Sequence, residues 1–353
     1  MNPSLLSQLR PRLAACALAV LAPAAFGEAT QLGSTLTVLG SPAEDVITVV
    51  FDVTPGQARV FGVPGTPDGT LFTGVEKLVA KTFASKDIFV VQSLSATPPE
   101  LDLDTGDGES QVRVDIQTPS SLQPTYSKAL VRGAADKDSV VFEIAENALG
   151  GTYDYTVLGA AGENNAQVKF SSGVLGGATT LNWRYFGGSS NDKVLLDFVS
   201  KADDLTLNAF GLTGGGGDEW FIKASGDLNT TARIQTAARL GAGGDTALVD
   251  TSNCGSSVLR GGIDAGDGDD VVEFKTTSSV SGSPLLLGGL GNDVLLVSVG
   301  ADLLAGSNPR ILAGEGNDTV SLLVGSEVLG SPFSDGGPGN DSFTGVGVAV
   351  NFE

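Results

Sequence analysis

The chain has no histidine. That removes Ser–His and Cys–His nucleophile pairs, together with the commonest transition-metal ligand. Cysteine is almost as scarce. Cys16 sits in an apolar N-terminal run and Cys254 stands alone in the remainder, so once the run is removed no internal disulfide can form. A lone Cys without His reads as a small buried residue rather than a nucleophile. Aromatic residues are few, at 6%, and 20 Lys and Arg face 41 Asp and Glu for a net charge of −21. With nothing basic clustered, nucleic acid and anionic membranes are poor partners, and cations or neutral surfaces are better ones. The apolar share is nevertheless 41%. That is enough to bury, so the chain is not a disordered acidic tail.

The N-terminus reads as an export signal. Arg10 and Arg12 precede an apolar run over 13–25, and small residues flank a cut between Gly27 and Glu28. A signal peptide is therefore expected over 1–27, with a secreted or cell-surface destination, the periplasm being the other compartment. The run is too short and too interrupted by proline to span a membrane. "LAAC" at 13–16 looks like a lipoprotein cleavage box, but only three apolar residues separate Arg12 from Cys16, too few for a signal core. The final "GVGVAVNFE" carries no hydrophobic sorting tail, so covalent or barrel anchoring is not expected.

What the chain has in abundance is glycine, 49 residues, and much of it recurs in one setting. "GGLGNDVLL" at 288–296 returns as "GGPGNDSFT" at 336–344, and related copies include "AGEGNDTVSL", "AGDGDDVVEF", "GGSSNDKVLL", "GGGGDEWFI" and "GAGGDTALV". Aligned on the aspartate, the column reads Asp45, Asp87, Ser110, Asp138, Ala166, Asp192, Asp218, Asp245, Asp270, Asp293, Asp318 and Asp341, at intervals of 23–28 residues from Ser110 onward. Two positions later every copy is apolar, from Ile47 and Phe89 to Val320 and Phe343.

A fixed period of this length marks a structural unit that cannot bury its apolar face alone. Period-2 apolarity marks half-buried strands, and the glycines mark turns that need positive φ or close backbone approach. The expected fold is all-β: a parallel β-helix or β-solenoid, its coils stacked about 4.8 Å apart, with the glycine-aspartate turns along one edge. Regular repeats are expected over 131–353 and less regular coils over 28–130. In the latter, the Pro/Gly stretch 54–72 reads as an insertion or hairpin, and 95–100 and 118–126 read as loops.

"GGLGNDVL" and "GGPGNDSF" resemble the haemolysin-type calcium-binding nonapeptide of the RTX (repeats-in-toxin) proteins. The resemblance implies Ca²⁺ between stacked turns, held by carboxylates and backbone carbonyls. It points to Asp293 and Asp341, then Asp270, Asp318 and Asp269, with Gly266, Gly268, Gly289, Gly291, Gly314, Gly316, Gly337 and Gly339 forming the turns. Asp192, Asp218 and Asp245 follow as weaker matches. This chain departs from the family in having one such turn per 23–28 residues, where the family has two per eighteen-residue coil. The residues argue the same way by themselves. Carboxylates about 5 Å apart repel by about 3–4 kcal/mol at an effective dielectric of 20, and hard oxygen ligands at a glycine turn suit Ca²⁺. Against this stands simple turn chemistry, in which each aspartate accepts backbone N–H groups and the preceding Asn191, Asn292, Asn317 and Asn340 form a hydrogen-bonded ladder.

The expected function is a non-catalytic surface, matrix or adhesion module. Calcium would be its cofactor, polysaccharide a partner, and self-association is open. The rival is a carbohydrate-active β-helix, enzyme or glycan binder, whose best constellation is Trp183, Arg184 and Tyr185 with Asp203 and Asp204. Alternation makes Trp183 and Tyr185 ordinary strand residues as readily as groove residues.

Overall fold

The computed structural model describes residues 27–353, apart from 84, 96, 118–124, 134–135, 145–150, 171–173, 199–200, 225–227 and 253. The predicted signal peptide therefore lies, except for Gly27, outside the described residues, as does most of the expected loop at 118–126. The described chain is all-β, a solenoid built from two facing sheets of fourteen strands each. Successive coils contribute one strand to each sheet. Each strand of the parallel stack pairs with its counterpart one repeat away, as Val272 with Leu295 and Leu295 with Val320. The register shifts only near the starts of two wide-sheet pairings, at Leu175/Ala178 and Leu228/Thr231.

One sheet is narrow. Its strands are mostly six residues long, for example Val294–Val299, with alternate positions buried. The other is wide, reaching fifteen residues in Lys201–Gly215 and Leu228–Ala242 and tapering to three at Val348–Val350. Inward residues from both sheets make one continuous core that includes Trp183, Trp220, Tyr153, Tyr155 and Phe142. The rings pack specifically, Phe142 stacking on Tyr155 at 4.2 Å between centroids. Large residues are matched by small ones: a Cβ at Gly211 would stand 2.2 Å from the Trp220 ring. Parallel pairing is continuous across 130/131, because Thr125–Arg132 bonds to both Glu100–Asp104 and Gly151–Leu158.

At the N-terminal end both sheets finish on antiparallel strands. Glu28–Leu32 folds back on Thr35–Leu39 in the wide sheet. The stretch expected to be an insertion forms Ala58–Phe61 and Thr70–Phe72, antiparallel additions to the narrow sheet beside Val46–Phe51. The Pro/Gly insertion thus covers an edge that would otherwise present unpaired backbone groups.

One position of the aligned column needs correction. Ala166 is the first inward residue of Asn165–Phe170, paired with Val140 and Val194, and Asn164 holds the column place instead. A slip of two residues leaves the inward-outward alternation intact, so hydrophobic pattern alone could not detect it. With that change, each of the twelve columned residues directly precedes a narrow-sheet strand.

Candidate metal centre

The corner from wide to narrow sheet is where glycine and aspartate recur. Before Asp218, Asp245, Asp270, Asp293 and Asp318 the wide strand continues to within three residues of the aspartate, whereas before Asp45, Asp87, Asp192 and Asp341 it stops six short. Glycines at positive φ permit that continuation. Gly289 and Gly291 have φ of 122° and 129°, and a Cβ on Gly289 would lie 1.8 Å from the carbonyl oxygen of Gly266 one coil earlier. The same stacking relates Gly268 to Gly291 and Gly291 to Gly316. Both glycine rows are therefore explained by close backbone approach, whatever else the turn does.

The column aspartates point inward and are almost fully buried, each exposed by 1% or less from Asp192 through Asp341. One carboxylate oxygen has a clear task. Oδ1 of Asp293 accepts the backbone N–H of Asp270 at 3.0 Å, and Oδ1 of Asp318 accepts that of Asp293 at 2.8 Å. The chain of acceptors runs on through Asp245 to Asp270 at 2.7 Å and Asp318 to Asp341 at 2.8 Å. An outer row runs with opposite polarity. Asp269 Oδ1 accepts the Asn292 N–H at 2.7 Å, Asn292 Oδ1 accepts that of Asn317 at 3.0 Å, and Asn317 Oδ1 accepts that of Asn340 at 3.1 Å. Asp269, grouped with the ligands by sequence, belongs to this exposed row, and the two N–H donors of Asn292 lower its pKa.

The other oxygen, Oδ2, is treated differently from coil to coil, and at Asp138 it accepts the Thr105 hydroxyl at 3.3 Å. In the turns of Asp45 and Asp192 it accepts an N–H from within the turn, that of Ser41 and of Gly188 (3.2 Å) respectively. At Asn164 the corresponding atom is Nδ2, which donates to Gly162 O at 2.7 Å. These atoms occupy one slot: a Cβ on Gly159 would lie 2.8 Å from Asn164 Nδ2, as one on Gly288 would lie 2.3 Å from Asp293 Oδ2. In the turns of Asp218, Asp245, Asp270, Asp293, Asp318 and Asp341 the buried Oδ2 has no hydrogen-bond partner. Asp87 Oδ2 shares that condition.

Six consecutive buried oxygens without donors are costly. Burial, opposed in part by the N–H bonds and reinforced by neighbouring carboxylates, pushes the Asp245 and Asp293 carboxyls up to about 7 and Asp218 up to about 6. Asp218 is held down first by the Thr213 hydroxyl, whose own hydrogen bond at 2.7 Å goes to Leu240 O. Asp192, Asp270 and Asp318 are raised for the same first reason. The slot lacks a positive partner.

These residues fit a hard cation in one respect and limit it in another. Among the described residues, no three acidic or cysteine side chains gather at one point. A bound ion would draw one carboxylate oxygen per coil and the rest of its oxygens from turn carbonyls or water, a set that suits Ca²⁺. The glycine-row carbonyls stand against the next coil, those of Gly266, Gly289 and Gly314 within the wide-sheet ladder.

The sugar-site constellation does not form as expected. Trp183 and Tyr185 are wholly buried in the core, and only Arg184 of the three reaches the surface, where it bonds to Asp154 at 2.7 Å. The side chains of Asp203 and Asp204 lie outside those described. Cys254 is buried, as its isolation suggested. No family model, curated protein or solved structure matches this chain.

Proposed function

We propose that this chain is an exported, calcium-set β-solenoid that acts as a non-catalytic surface or matrix module. One observation carries the reading: in six successive Gly-x-Gly-x-Asp turns a buried carboxylate oxygen has no donor, while the turns of Asp45, Asn164 and Asp192, which lack that pattern, fill the same slot with an N–H. Among the described residues, the turn of Asp87 is the one outside the pattern that leaves its oxygen unpartnered. A glycine turn that surrenders its internal donor needs one from outside. Calcium supplies that positive charge as a hard cation taking oxygen ligands, and extracellular modules with dissociation constants of about 10⁻⁴–10⁻³ M would be filled outside the cell. Asp218, Asp245, Asp270, Asp293, Asp318 and Asp341 would hold the ions, with turn carbonyls or water supplying the remaining oxygens. The ions would make rigidity of the C-terminal coils conditional on export, since calcium is scarce in the cytosol.

The test is thermal unfolding of the chain, followed by circular dichroism across a calcium titration, with magnesium and EDTA beside it. A ligand that binds only the folded state raises the melting temperature with its concentration. The expected result is a rise specific to calcium and reversed by EDTA. A melting temperature indifferent to calcium would reduce the column to turn chemistry.

A further inference from the structure

The wide sheet's outer face changes character along the solenoid. Near its N-terminal end it is a ladder of ion pairs: Lys77 with Glu100 (3.6 Å), Lys128 with Glu100 (3.3 Å), Lys81 with Asp104 (3.2 Å) and Arg132 with Asp102. Across the central coils the middle of the face carries no acid, Asp204 and Asp264 lying at its borders. In-register outward positions form three rows along the axis. The first is Thr180, Thr206, Arg233, Val258 and Ser281; the second is Asn182, Asn208, Gln235, Arg260 and Ser283; the third is Arg184, Phe210, Ala237, Gly262 and Leu285. These fifteen positions hold three arginines and no carboxylate, in a chain of net charge −21. Asp154 and Asp264 on the borders are held by Arg184 and Arg239, and Asp204 precedes the first row by two residues on the Thr206 strand. Arg233 has a partner already, which leaves Arg260 as the arginine of the three that makes no ion pair among the described residues.

The face is also hollowed. Ala237 and Gly262 are small residues standing between Phe210 and Leu285, and the row beside them carries the amides. The result is a run of adjoining hollows, two of about 310 Å³ that share Asn208 and Gln235, and one of about 360 Å³ that continues past Phe210. Asn208 Nδ2 donates to Asn182 Oδ1 at 2.8 Å, which fixes both amides and leaves Asn182 Nδ2 and Asn208 Oδ1 for other partners.

We propose that this trough on the central wide face binds an acidic polysaccharide, one whose sugar units carry carboxylates. The rows run along the solenoid axis with a step of about 4.8 Å between strands, close to the length of one sugar unit in an extended glycan, so successive units would lie over successive coils. Arginine forks pair bidentately with carboxylates. The amide row can both donate to and accept from sugar hydroxyls. Phe210, 37% exposed, offers an apolar plane to the C–H face of a ring. A nucleic acid fits less well, because one ring and three arginines are a weak match for a run of phosphates on so acidic a protein. The trough lies on a different face from the aspartate column and does not depend on the calcium reading.

The test is calorimetric titration of the full chain with hexagalacturonate, cellohexaose and a six-nucleotide oligodeoxythymidylate, all in the same calcium-containing buffer. Hexagalacturonate is expected to bind and cellohexaose not to bind measurably. Arg260→Glu and Asn208→Ala should each weaken binding by about tenfold or more while melting like the parent, since both side chains face outward. Asp293→Asn, on the other edge, should leave binding unchanged. Absence of binding by hexagalacturonate, equal binding of the neutral glycan, indifference to Arg260→Glu, or tighter binding of the oligonucleotide would each overturn the proposal.

Discussion

Replacing Asp293 by Asn isolates the oxygen on which the calcium reading depends. The substitution keeps Oδ1, so the Asp270 N–H retains its acceptor at 3.0 Å, and it leaves Asp293's own N–H on Asp318 Oδ1 at 2.8 Å. It removes only the charge and the second carboxylate oxygen. The fold already tolerates an amide in this column at Asn164. Asp293 faces Asp270 on one side and Asp318 on the other, at about 5 Å by strand spacing, so its charge adds repulsion of at most about 3 kcal/mol per neighbour at a dielectric near 20. Against that gain stands the cost of a buried amide, about 1–3 kcal/mol if unpartnered. Without calcium the variant should therefore melt within a few degrees of the parent at neutral pH. With calcium the two should part. At 10–100 times the dissociation constant each site stabilises by about 1.4–2.7 kcal/mol, and Asp293 borders two gaps between coils, so the variant should forfeit about 3–5 kcal/mol of calcium stabilisation. Urea unfolding of both proteins, with and without calcium, reads this difference directly, and the amide's own cost cancels. Equal calcium stabilisation in parent and variant would refute the reasoning.

Other expectations follow from the same geometry. The Asp245 and Asp293 carboxyls have folded pKa values raised above the ordinary carboxylate value, as to a smaller extent has Asp218, so ionisation is penalised in the folded state as pH climbs from about 4 to about 7. The calcium-free chain should therefore lose stability across that window and calcium should flatten the loss, which melting curves at stepped pH would show; a calcium-free melting temperature that rises over the window would contradict it. Gly289→Ala combines a φ of 122° with a Cβ 1.8 Å from Gly266 O, and should cost about 3 kcal/mol or more in urea unfolding whether or not calcium is present. Asn317→Ala breaks the exposed outer row only. It should cost about 0.5–1.5 kcal/mol and leave the calcium response intact, and a lost response would move the ion site outward.

The solenoid was legible because each unit repeats its evidence. Alternating apolar positions after a glycine turn define a strand, and their recurrence at 23–28 residues defines the stack. Hairpin 54–72 showed itself by its Pro/Gly content, but its service as an edge cover needed the antiparallel partners of Val46–Phe51. The Ala166 assignment failed where the column residue is Asn, since the glycine pair that anchors the alignment is also absent there. Buried Trp183 and Tyr185 against exposed Arg184 follow from period-2 alternation, yet which set faces inward depends on register with the neighbouring strands. The wide-face trough was invisible for a related reason. Asn182, Asn208 and Gln235 lie 26 and 27 residues apart in sequence and meet only through pairing. Oδ2 was equally hidden, because the motif names an aspartate but not which of its oxygens the backbone already uses.

The most direct measurement is a count of bound metal. The folded chain would be dialysed to equilibrium against calcium near extracellular concentration, and calcium per chain read by elemental mass spectrometry, with magnesium and the combined Asp293→Asn, Asp318→Asn and Asp341→Asn variant in parallel. Several calcium ions per chain, most of them lost in the combined variant and none replaced by magnesium, is the predicted result. Calcium no higher in the protein than in the dialysate would contradict the account.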